Sequence, residues 1–479
     1  MAKAAFACFE KIREFGPAER EKITVVTGSG NNGGDGLMLA ALFKMAGCQS
    51  RVIACTSPDH LSSDARDMYQ YARAIDVDLC DIAAFQSTED LQKEIQNADI
   101  VIDALIGTGL NRPLENPFST VVEAINQYAR YVVGIDIPSG INGNTGAREG
   151  LAINANMTVS LITKKIGLYT GDAPAHIGRL YFAPLVDSAL FEQTIKPSAM
   201  LLNKKSLDVL VDKQGRQKSI SKADKGHIGV IAGDKGMAGA AVMAAQAALV
   251  TGAGRVSLFT HPEHARLINV AYPEIMCYGV DTLTCYKDLF EKIELLVVGC
   301  GMRSKSRWSE QRIVESFALN KAMVVDAGAL DLVSQLGKTE NDVIITPHEG
   351  EAARLLTMSA DKVHRNRLEA LTRLNQKFHC HVLLKGKGTL IYDNDNAAVS
   401  LCPYGEKVLA TAGSGDILSG MIAGLYGQLK GLSQAGKLAV ILQGLASERC
   451  VQAQGYFGFT AMQLLPFVSE VLNTCKSAG

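Results

Sequence analysis

The chain has 479 residues, 47% hydrophobic and 20% charged, with 45 glycines. At roughly 100–200 residues per domain this is a two- or three-domain protein, which excludes a single small fold and wholesale disorder. Its 48 Lys+Arg against 49 Asp+Glu leave a net charge of −1, so no global field draws in nucleic acid or an anionic membrane, and any anionic ligand must be held locally. Eleven cysteines without a C-x-x-C pair are too sparse for a disulfide framework and read as reduced thiols. No apolar run reaches membrane-spanning length, and the expected location is the cytoplasm. The pairs His261/His264 and His379/His381 lack companion ligands at diagnostic spacing and read as surface or strand-end histidines rather than metal ligands.

Across residues 23–186, short β-rich runs ending in Gly, Asp or Pro alternate with helical stretches: ITVVT, GLMLAALFKMAG, RVIACTS, DIVIDALIGTG, YVVGIDIPSG and MTVSLIT. Such alternation predicts a mostly parallel sheet with helices on both faces, a three-layer α/β domain over residues 1–198. Residues 187–224 turn polar and basic without strand alternation and read as a linker. From residue 226 the pattern restarts with IGVIAG, AAVMAAQAALV, RVSLF, LLVVGCG, MVVDAG, VIITP, HVLLKGKG and LIYD, and it closes with a helix beginning near Gly415. This predicts a second α/β domain over residues 215–479. No fixed-period repeat relates the halves.

Gly28, Gly30 and Gly33 satisfy G-x-G-x-x-G between a predicted strand and helix, where backbone N–H groups and the helix dipole can receive phosphate. The second strand, RVIACTS, ends without the acidic residue that an ordinary dinucleotide site uses on the ribose, which disfavours a standard NAD dehydrogenase. More distinctive is the full string Gly30-Asn31-Asn32-Gly33-Gly34-Asp35-Gly36, which sets two amides and a carboxylate among glycines. Two other strand ends add Asp103 in DALIGTG and Asp136 in DIPSG, and in an open α/β sheet such ends converge on one crevice. Each Asp by itself also fits a helix cap or turn residue. Asn32, Asp103 and Ser139 offer only oxygen atoms, the chemistry of a hard cation site, and a bound alkali cation is expected there.

GNNGGDG, DALIGTGLNRP, DIPSG with a later TG, and T-K-K-I-G-L at residues 163–168 resemble the YjeF N-terminal family, the NAD(P)HX epimerases. The resemblance covers nearly the whole first half and implies a Rossmann-like domain that interconverts the two C6 epimers of hydrated NADH and NADPH and holds K+ near the ligand. It assigns the ion to Asn32, Asp103 and Ser139, and the phosphates and hydrated nicotinamide to Asn31, Asn32, Gly33, Gly34 and Asp35 with Gly107, Thr108, Gly109, Leu110, Asn111, Arg112 and Pro113. Asp136 is the candidate acid/base, because epimerising a hydroxyl-bearing carbon needs proton transfer on or near that group. Lys165 matches the family lysine as an electrostatic assistant, and equally fits a solvated lysine beside Lys164. Family members usually carry a helix ahead of a Met-Glu-x-Ala-Gly segment; this sequence opens at Met1-Ala2-Lys3-Ala4-Ala5 and is expected to lack it.

In the second half, Ala410-Thr411-Ala412-Gly413-Ser414-Gly415-Asp416 runs directly into the helical stretch ILSGMIAGLYGQL. Glycines at a helix start expose N–H donors to phosphate, and Asp416 stands where it can deprotonate an attacking hydroxyl, although G-x-G-D alone also fits a plainly capped helix. Two strand ends accompany it, Thr346-Pro347-His348-Glu349-Gly350-Glu351 and Lys385-Gly386-Lys387-Gly388-Thr389; neither is a Walker P-loop.

KGHIGVIAGDKGMAGAAVMAAQAALVTGAG, TPHEGE, LKGKGT and ATAGSGDILSGMIAG resemble the ribokinase-like superfamily and, within it, the ADP/ATP-dependent NAD(P)HX dehydratases. The resemblance spans about residues 225–466. It implies phosphorylation of the C6 hydroxyl of the S hydrate by ADP, with ATP as the alternative, and then loss of phosphate to regenerate the reduced cofactor. It makes Asp416 the catalytic base and Gly413, Ser414 and Gly415 the anion hole. Lys385, Gly386, Lys387, Gly388 and Thr389 become nucleotide contacts, and His348 and Ala241 contacts to the hydrated cofactor. Mg2+ is expected with the ADP phosphates, and assembly into a homo-oligomer is implied.

Departures from the family pattern fall at ligand-facing turns. Gly299-Cys300-Gly301-Met302-Arg303 stands for G-P-G-L-G and Asp326-Ala327-Gly328-Ala329-Leu330 for D-A-D-A-L; Glu349 and Ala238 replace prolines, and Gln443 a histidine. A different reading, a ribokinase-like small-molecule kinase with a non-catalytic N-terminal nucleotide-binding domain, explains GSGD but leaves GNNGGDG without chemistry; it predicts that a phosphorylated product accumulates.

Overall fold

The computed structural model describes residues 1–16, 22–110, 112–187, 195–209, 224–335 and 342–474. Asn111 of the predicted ligand loop therefore lies outside the described residues. The chain forms two compact units, Met1–Ser198 and Ala199–Gly479.

The first unit is built on strands β1 (Lys22–Thr27), β2 (Gln49–Ala54), β3 (Asp78–Asp81), β4 (Ile100–Ala104), β5 (Val132–Ile135), β6 (Met157–Leu161) and β7 (Arg179–Ala183), in the order 3-2-1-4-5-6-7 with every pair parallel. The runs IVIDA, VVGI and MTVSL are buried at every position, as central strands covered on both faces must be. Helices α1 (Ala2–Phe15), α2 (Asn31–Met45) and α3 (Ser63–Ala74) pack on one face, with Ala4, Ala5, Cys8 and Ile12 of α1 in that core; α4 (Thr88–Asn97) and α5 (Phe118–Tyr128) cover the other. Strand order reverses direction between β1 and β4, which puts the ligand crevice of a doubly wound sheet at the ends of those two strands.

The second unit carries a ten-stranded sheet. Its strands are β8 (Met200–Leu201), β9 (His227–Ile231), β10 (Arg255–Thr260), β11 (Met276–Gly279), β12 (Leu295–Val298), β13 (Ala322–Val325), β14 (Val343–Ile345), β15 (His381–Leu384), β16 (Thr389–Asp393) and β17 (Ala398–Cys402), in the order 11-10-9-12-13-14-15-16-17-8. The pairs β15/β16 and β16/β17 are antiparallel and the rest parallel. Residues 199–209 of the stretch read as a linker belong to this unit: Met200–Leu201 pairs with β17, and a two-residue edge strand is too short to show an alternating pattern. The small-residue helix Ala238–Val250 exists because the helix Ser414–Leu429 lies hard against it. A Cβ on Gly420 would stand 2.1 Å from the Ala244 carbonyl oxygen, and one on Gly424 2.3 Å from that of Ala248. Among the described residues no helix is long and apolar enough to cross a membrane.

Candidate active sites

In the first unit the string GNNGGDG is not a free loop. Asn31 already opens α2, with Gly30 as its N-cap, so the helix start itself faces the crevice. Glycines in and just before it are required by packing: a Cβ on Gly28 would sit 2.1 Å from the Leu105 carbonyl oxygen, and one on Gly33 2.1 Å from that of Gly28. The sequence assigned Gly33 and Gly34 to ligand contact; both are buried, whereas Gly30 has open space around it.

Asp103, at the end of β4, is fully buried and binds Ser139 twice, accepting from its Oγ at 2.6 Å and its N–H at 2.7 Å, and it also accepts from Leu105 N–H at 3.2 Å. Burial pushes its carboxyl up to about 6 against those hydrogen bonds. Ser139 Oγ in turn accepts from Ile106 N–H at 2.9 Å and lies 3.1 Å from the Ile106 carbonyl oxygen. The Asn32 amide abuts Gly107, and its Nδ2 is buried with no hydrogen-bond partner among the described residues. Asn32, Asp103 and Ser139 thus gather around the Ile106–Gly107 backbone.

Beyond β5, Asp136 adopts a left-handed φ of 64°, a conformation rare for non-glycine residues and favoured at functional turns. Its Oδ1 pairs with Lys165 Nζ and accepts from Leu161 N–H at 2.9 Å, while Lys165 Nζ also donates to the Leu161 carbonyl at 2.6 Å. Lys165 is therefore fixed against Asp136 with 13% of its side chain exposed, not solvated. Asp35, expected as a ligand contact, is a mostly buried carboxyl. Burial pushes it up to about 6, the amino terminus opposes this, and the Asp136 charge adds to it. Thr108 and Lys165 both border Gly143, and Pro113 borders Gly150, so Gly107–Leu110 and Arg112–Pro113 share the rim of this pocket. Leu110 is buried; Thr108, Gly109, Arg112 and Pro113 are exposed.

In the second unit, Gly413 caps the helix Ser414–Leu429 with φ 94°. A Cβ there would be strained by the backbone and stand 2.4 Å from Met243 sulfur, so only glycine delivers this helix start. Asp416 lies in its first turn. Burial, reinforced by the charge of Asp326, pushes its carboxyl up to about 6, while a hydrogen bond from the Cys300 thiol and the Lys385 ammonium oppose it. Cys300, the departure from proline, therefore touches Asp416; its own thiol is fully buried and held well above the ordinary range by burial and the two carboxylates.

Lys385 reaches inward. Its Nζ donates to Asp326 Oδ1 at 2.7 Å, stands 3.8 Å from Glu351 Oε2, and comes within 3.3 Å of where a Cβ on Gly415 would be. Ser419 Oγ donates to Asp326 Oδ2 at 2.8 Å. Burial drives the Asp326 carboxyl up, but Lys385 and these hydrogen bonds outweigh it and hold it below its ordinary value. Replacing Lys385 by Met leaves a carboxylate 2% exposed without its counter-charge; the expected loss is about 3–5 kcal/mol of stability, read as a lowered urea midpoint.

The remaining second-half assignments divide. The segment 385–388 is the turn of the β15/β16 hairpin, with Gly386 and Gly388 at φ 146° and 67°. Arg367, which sequence reasoning missed, is 1% exposed, pairs with Glu349 and reaches the carbonyls of Leu384, Lys385 and Gly388 at 3.2, 3.4 and 3.4 Å. Glu349, another of the replaced prolines, is thus the counter-ion of the arginine that braces the turn. Lys387 is exposed, and burial together with the nearby Lys407 charge lowers its pKa against Glu406; two neighbouring cations suit a polyphosphate. His348 Nδ1 accepts from Gly350 and Glu351 N–H at 3.0 and 3.4 Å in a capping box, which leaves Nε2–H as the donor on a side chain 57% exposed. Ala241 is fully buried, 2.8 Å from where a Cβ on Gly233 would stand; in this structure it supports the adjoining backbone and offers no surface to a ligand. Gln443 Nε2 donates to the Ser414 carbonyl at 2.8 Å, and Gly328, with room for no Cβ, lies against the Met302 carbonyl, so the altered turns fit one another.

His381 with Asp393 and Asp395 groups within 4.8 Å, but at the opposite end of the sheet, where β15 starts and the antiparallel β16 ends. His381 Nδ1 accepts from Asn394 N–H at 3.0 Å and Asp393 is held by Lys437 at 2.7 Å, so these atoms already have protein partners.

Two α/β units, one with an all-parallel and one with a mostly parallel sheet, each carry a largely buried carboxyl beside a lysine where a sheet of this type opens onto its ligand crevice, and they define the class as a two-domain α/β enzyme. Residues 228–469 match the model of the NAD(P)H-hydrate dehydratase family and residues 1–167 that of the YjeF-related protein N-terminus. The chain is 36% identical over 473 residues to the bifunctional NAD(P)H-hydrate repair enzyme Nnr of Coxiella burnetii, across 99% of this chain and 94% of that protein. With the Nnr enzyme of Escherichia coli it shares 32% identity over 474 residues, 99% of this chain and 89% of that one. The chain belongs to the family of bifunctional NAD(P)H-hydrate repair enzymes, in which an epimerase domain and a dehydratase domain share one polypeptide. In fold it is similar to a ribokinase-like protein from Enterococcus faecalis (TM-score 0.52, 21% identity, 59% of this chain and 98% of that chain). It is likewise similar to an ADP/ATP-dependent NAD(P)H-hydrate dehydratase from Bacillus subtilis co-crystallised with ATP and Mg2+ (TM-score 0.51, 23% identity, 59% and 100%). The α/β class expected from the sequence, Rossmann-like followed by ribokinase-like, holds.

Proposed function

We propose that the second unit dehydrates the S epimer of NADHX and NADPHX with ADP, or alternatively ATP, as phosphoryl donor, and that the first unit supplies that epimer by interconverting R and S. The carrying observation is Asp416 behind the left-handed Gly413 at a helix N-terminus, its carboxyl held near the middle of the pH range. Asp416 takes the proton of the C6 hydroxyl as that oxygen attacks the terminal phosphorus and the bond to the leaving nucleotide breaks. The N–H groups of Gly413, Ser414 and Gly415 receive the migrating charge. Loss of phosphate from C6 and of a proton from C5 restores the ring double bond. Phosphate leaves far more readily than hydroxide, which is why a nucleotide is spent. The hairpin turn carrying Lys387 and Thr389 holds the nucleotide phosphates, His348 Nε2–H and the helix start hold the hydrate, and Mg2+ accompanies the phosphates as a charge neutraliser.

In the first unit Asp136 Oδ1 is engaged by Lys165 and Leu161, so Oδ2 is the atom that exchanges a proton with the substrate, and Lys165 orients the group. Asn32, Asp103 and Ser139 fit K+: their oxygens cluster by the Ile106 carbonyl with one buried carboxylate. The ion would supply fixed positive charge beside the ligand's phosphates.

The test is recovery of reduced-nicotinamide absorbance from a mixed R/S hydrate with ADP and Mg2+; complete recovery needs both units, half-recovery only the second, and accumulation of a phosphorylated hydrate favours a plain kinase. Because the base must be ionised and its pKa is raised to about 6, kcat/KM for dehydration of the S hydrate is expected to rise with unit slope below about pH 6 and to level above it. A profile flat from pH 5 to 8 would contradict Asp416 as the base.

A further inference from the structure

The most exposed large apolar side chains of the second unit include a contiguous aromatic pair, Tyr456 at 54% and Phe457 at 98%. They sit in a short loop between Gly455 and Gly458, both at left-handed φ (79° and 80°), with nothing within 4 Å of a Cβ on either. Both ends of this loop are tied to walls of the nucleotide cleft. On one side Tyr456 OH donates to Glu406 Oε2 at 3.2 Å, and Glu406 with Lys407 acts electrostatically on Lys387 of the phosphate turn. On the other, the capping box of Thr460 and Gln463 fixes Ala461, whose Cβ lies 3.1 Å from where a Cβ on Gly413 would stand. At this place Phe457 presents an uncovered aromatic face beside both the phosphate turn and the helix start. The part of the nucleotide that the phosphate turn and the helix start leave uncontacted is its base, a flat ring that stacks on aromatic faces.

We infer that the Gly455–Gly458 loop is the base platform of the nucleotide site, Phe457 stacking on the adenine while Tyr456 anchors the loop through Glu406. This rests on the nucleotide-dependent dehydratase reading above. The test is calorimetric binding of Mg2+-ADP and, separately, of inorganic pyrophosphate to the full-length wild type, Phe457→Ala and Phe457→Trp. Phe457→Ala is expected to weaken ADP by roughly 5- to 150-fold, the range of one aromatic–base stack, to leave pyrophosphate within about twofold, and Phe457→Trp to restore ADP binding. Unchanged ADP affinity in Phe457→Ala overturns the platform, including the case where that variant instead alters self-association in sedimentation. Equal weakening of ADP and pyrophosphate also overturns it, because the loop would then act on the phosphate turn. A wild type that does not bind ADP fails differently: it removes the nucleotide reading itself.

Discussion

Asp416→Asn is expected to lower ADP-dependent dehydration of the S hydrate by about 100- to 10,000-fold, the range associated with removing a positioned general base. The amide is nearly isosteric, and the Asp326–Lys385 pair is held by its own contact together with Ser419 and Glu351. The helix start should therefore survive, with ADP affinity close to wild type and epimerisation by the first unit unchanged. The loss should appear in kcat rather than in KM for ADP, since the missing interaction belongs to the transition state. A variant that turns over like the wild type would remove the base assignment and with it the dehydration chemistry proposed for this unit.

The second large effect is expected from Asp136→Asn in the first unit. The asparagine oxygen can still accept from Leu161 N–H, and asparagine tolerates the left-handed φ of 64°, so the fold should hold. What disappears is the exchangeable proton site and the negative charge opposite Lys165. Epimerisation, followed as the rate at which purified R hydrate becomes substrate for excess dehydratase, should fall by about 100-fold or more, while dehydration of purified S hydrate stays at wild-type rate. If R hydrate is consumed as before, proton transfer runs through another group, and Asp35, whose carboxyl is raised by burial and further by the Asp136 charge, becomes the one to replace.

Much of this was legible in the residues. The central strands were visible as apolar runs because both faces of a covered parallel sheet are dry, and their last residues announced the crevices because that is where doubly wound sheets bind ligands. Asp136 could be picked out for that reason, and Asp416 because a contiguous Gly-Ser-Gly run opens the helix that carries it. The edge strands were not visible: DLCD of β3 and MCYG of β11 are short and partly exposed, and a half-wet strand of four residues has no pattern to distinguish it from a loop. Glycine was the most misleading letter. Gly28 and Gly33 looked like places where a ligand approaches the backbone, yet each is needed because another stretch of main chain does.

The sequence by itself determined the two-unit α/β plan, the family and the two carboxylates at helix and strand ends, because each of these depends on local periodicity or on a motif contiguous along the chain. Only the tertiary structure decided which side chains act on those carboxylates. Lys385 turned inward to Asp326 rather than outward to a phosphate, Arg367 and Glu349 bracing the hairpin turn, and Cys300 against Asp416 all join segments distant in sequence. A charge takes its partner, and so its pKa, from whatever folding brings within a few ångströms when water is excluded, and no spacing along a chain records that distance.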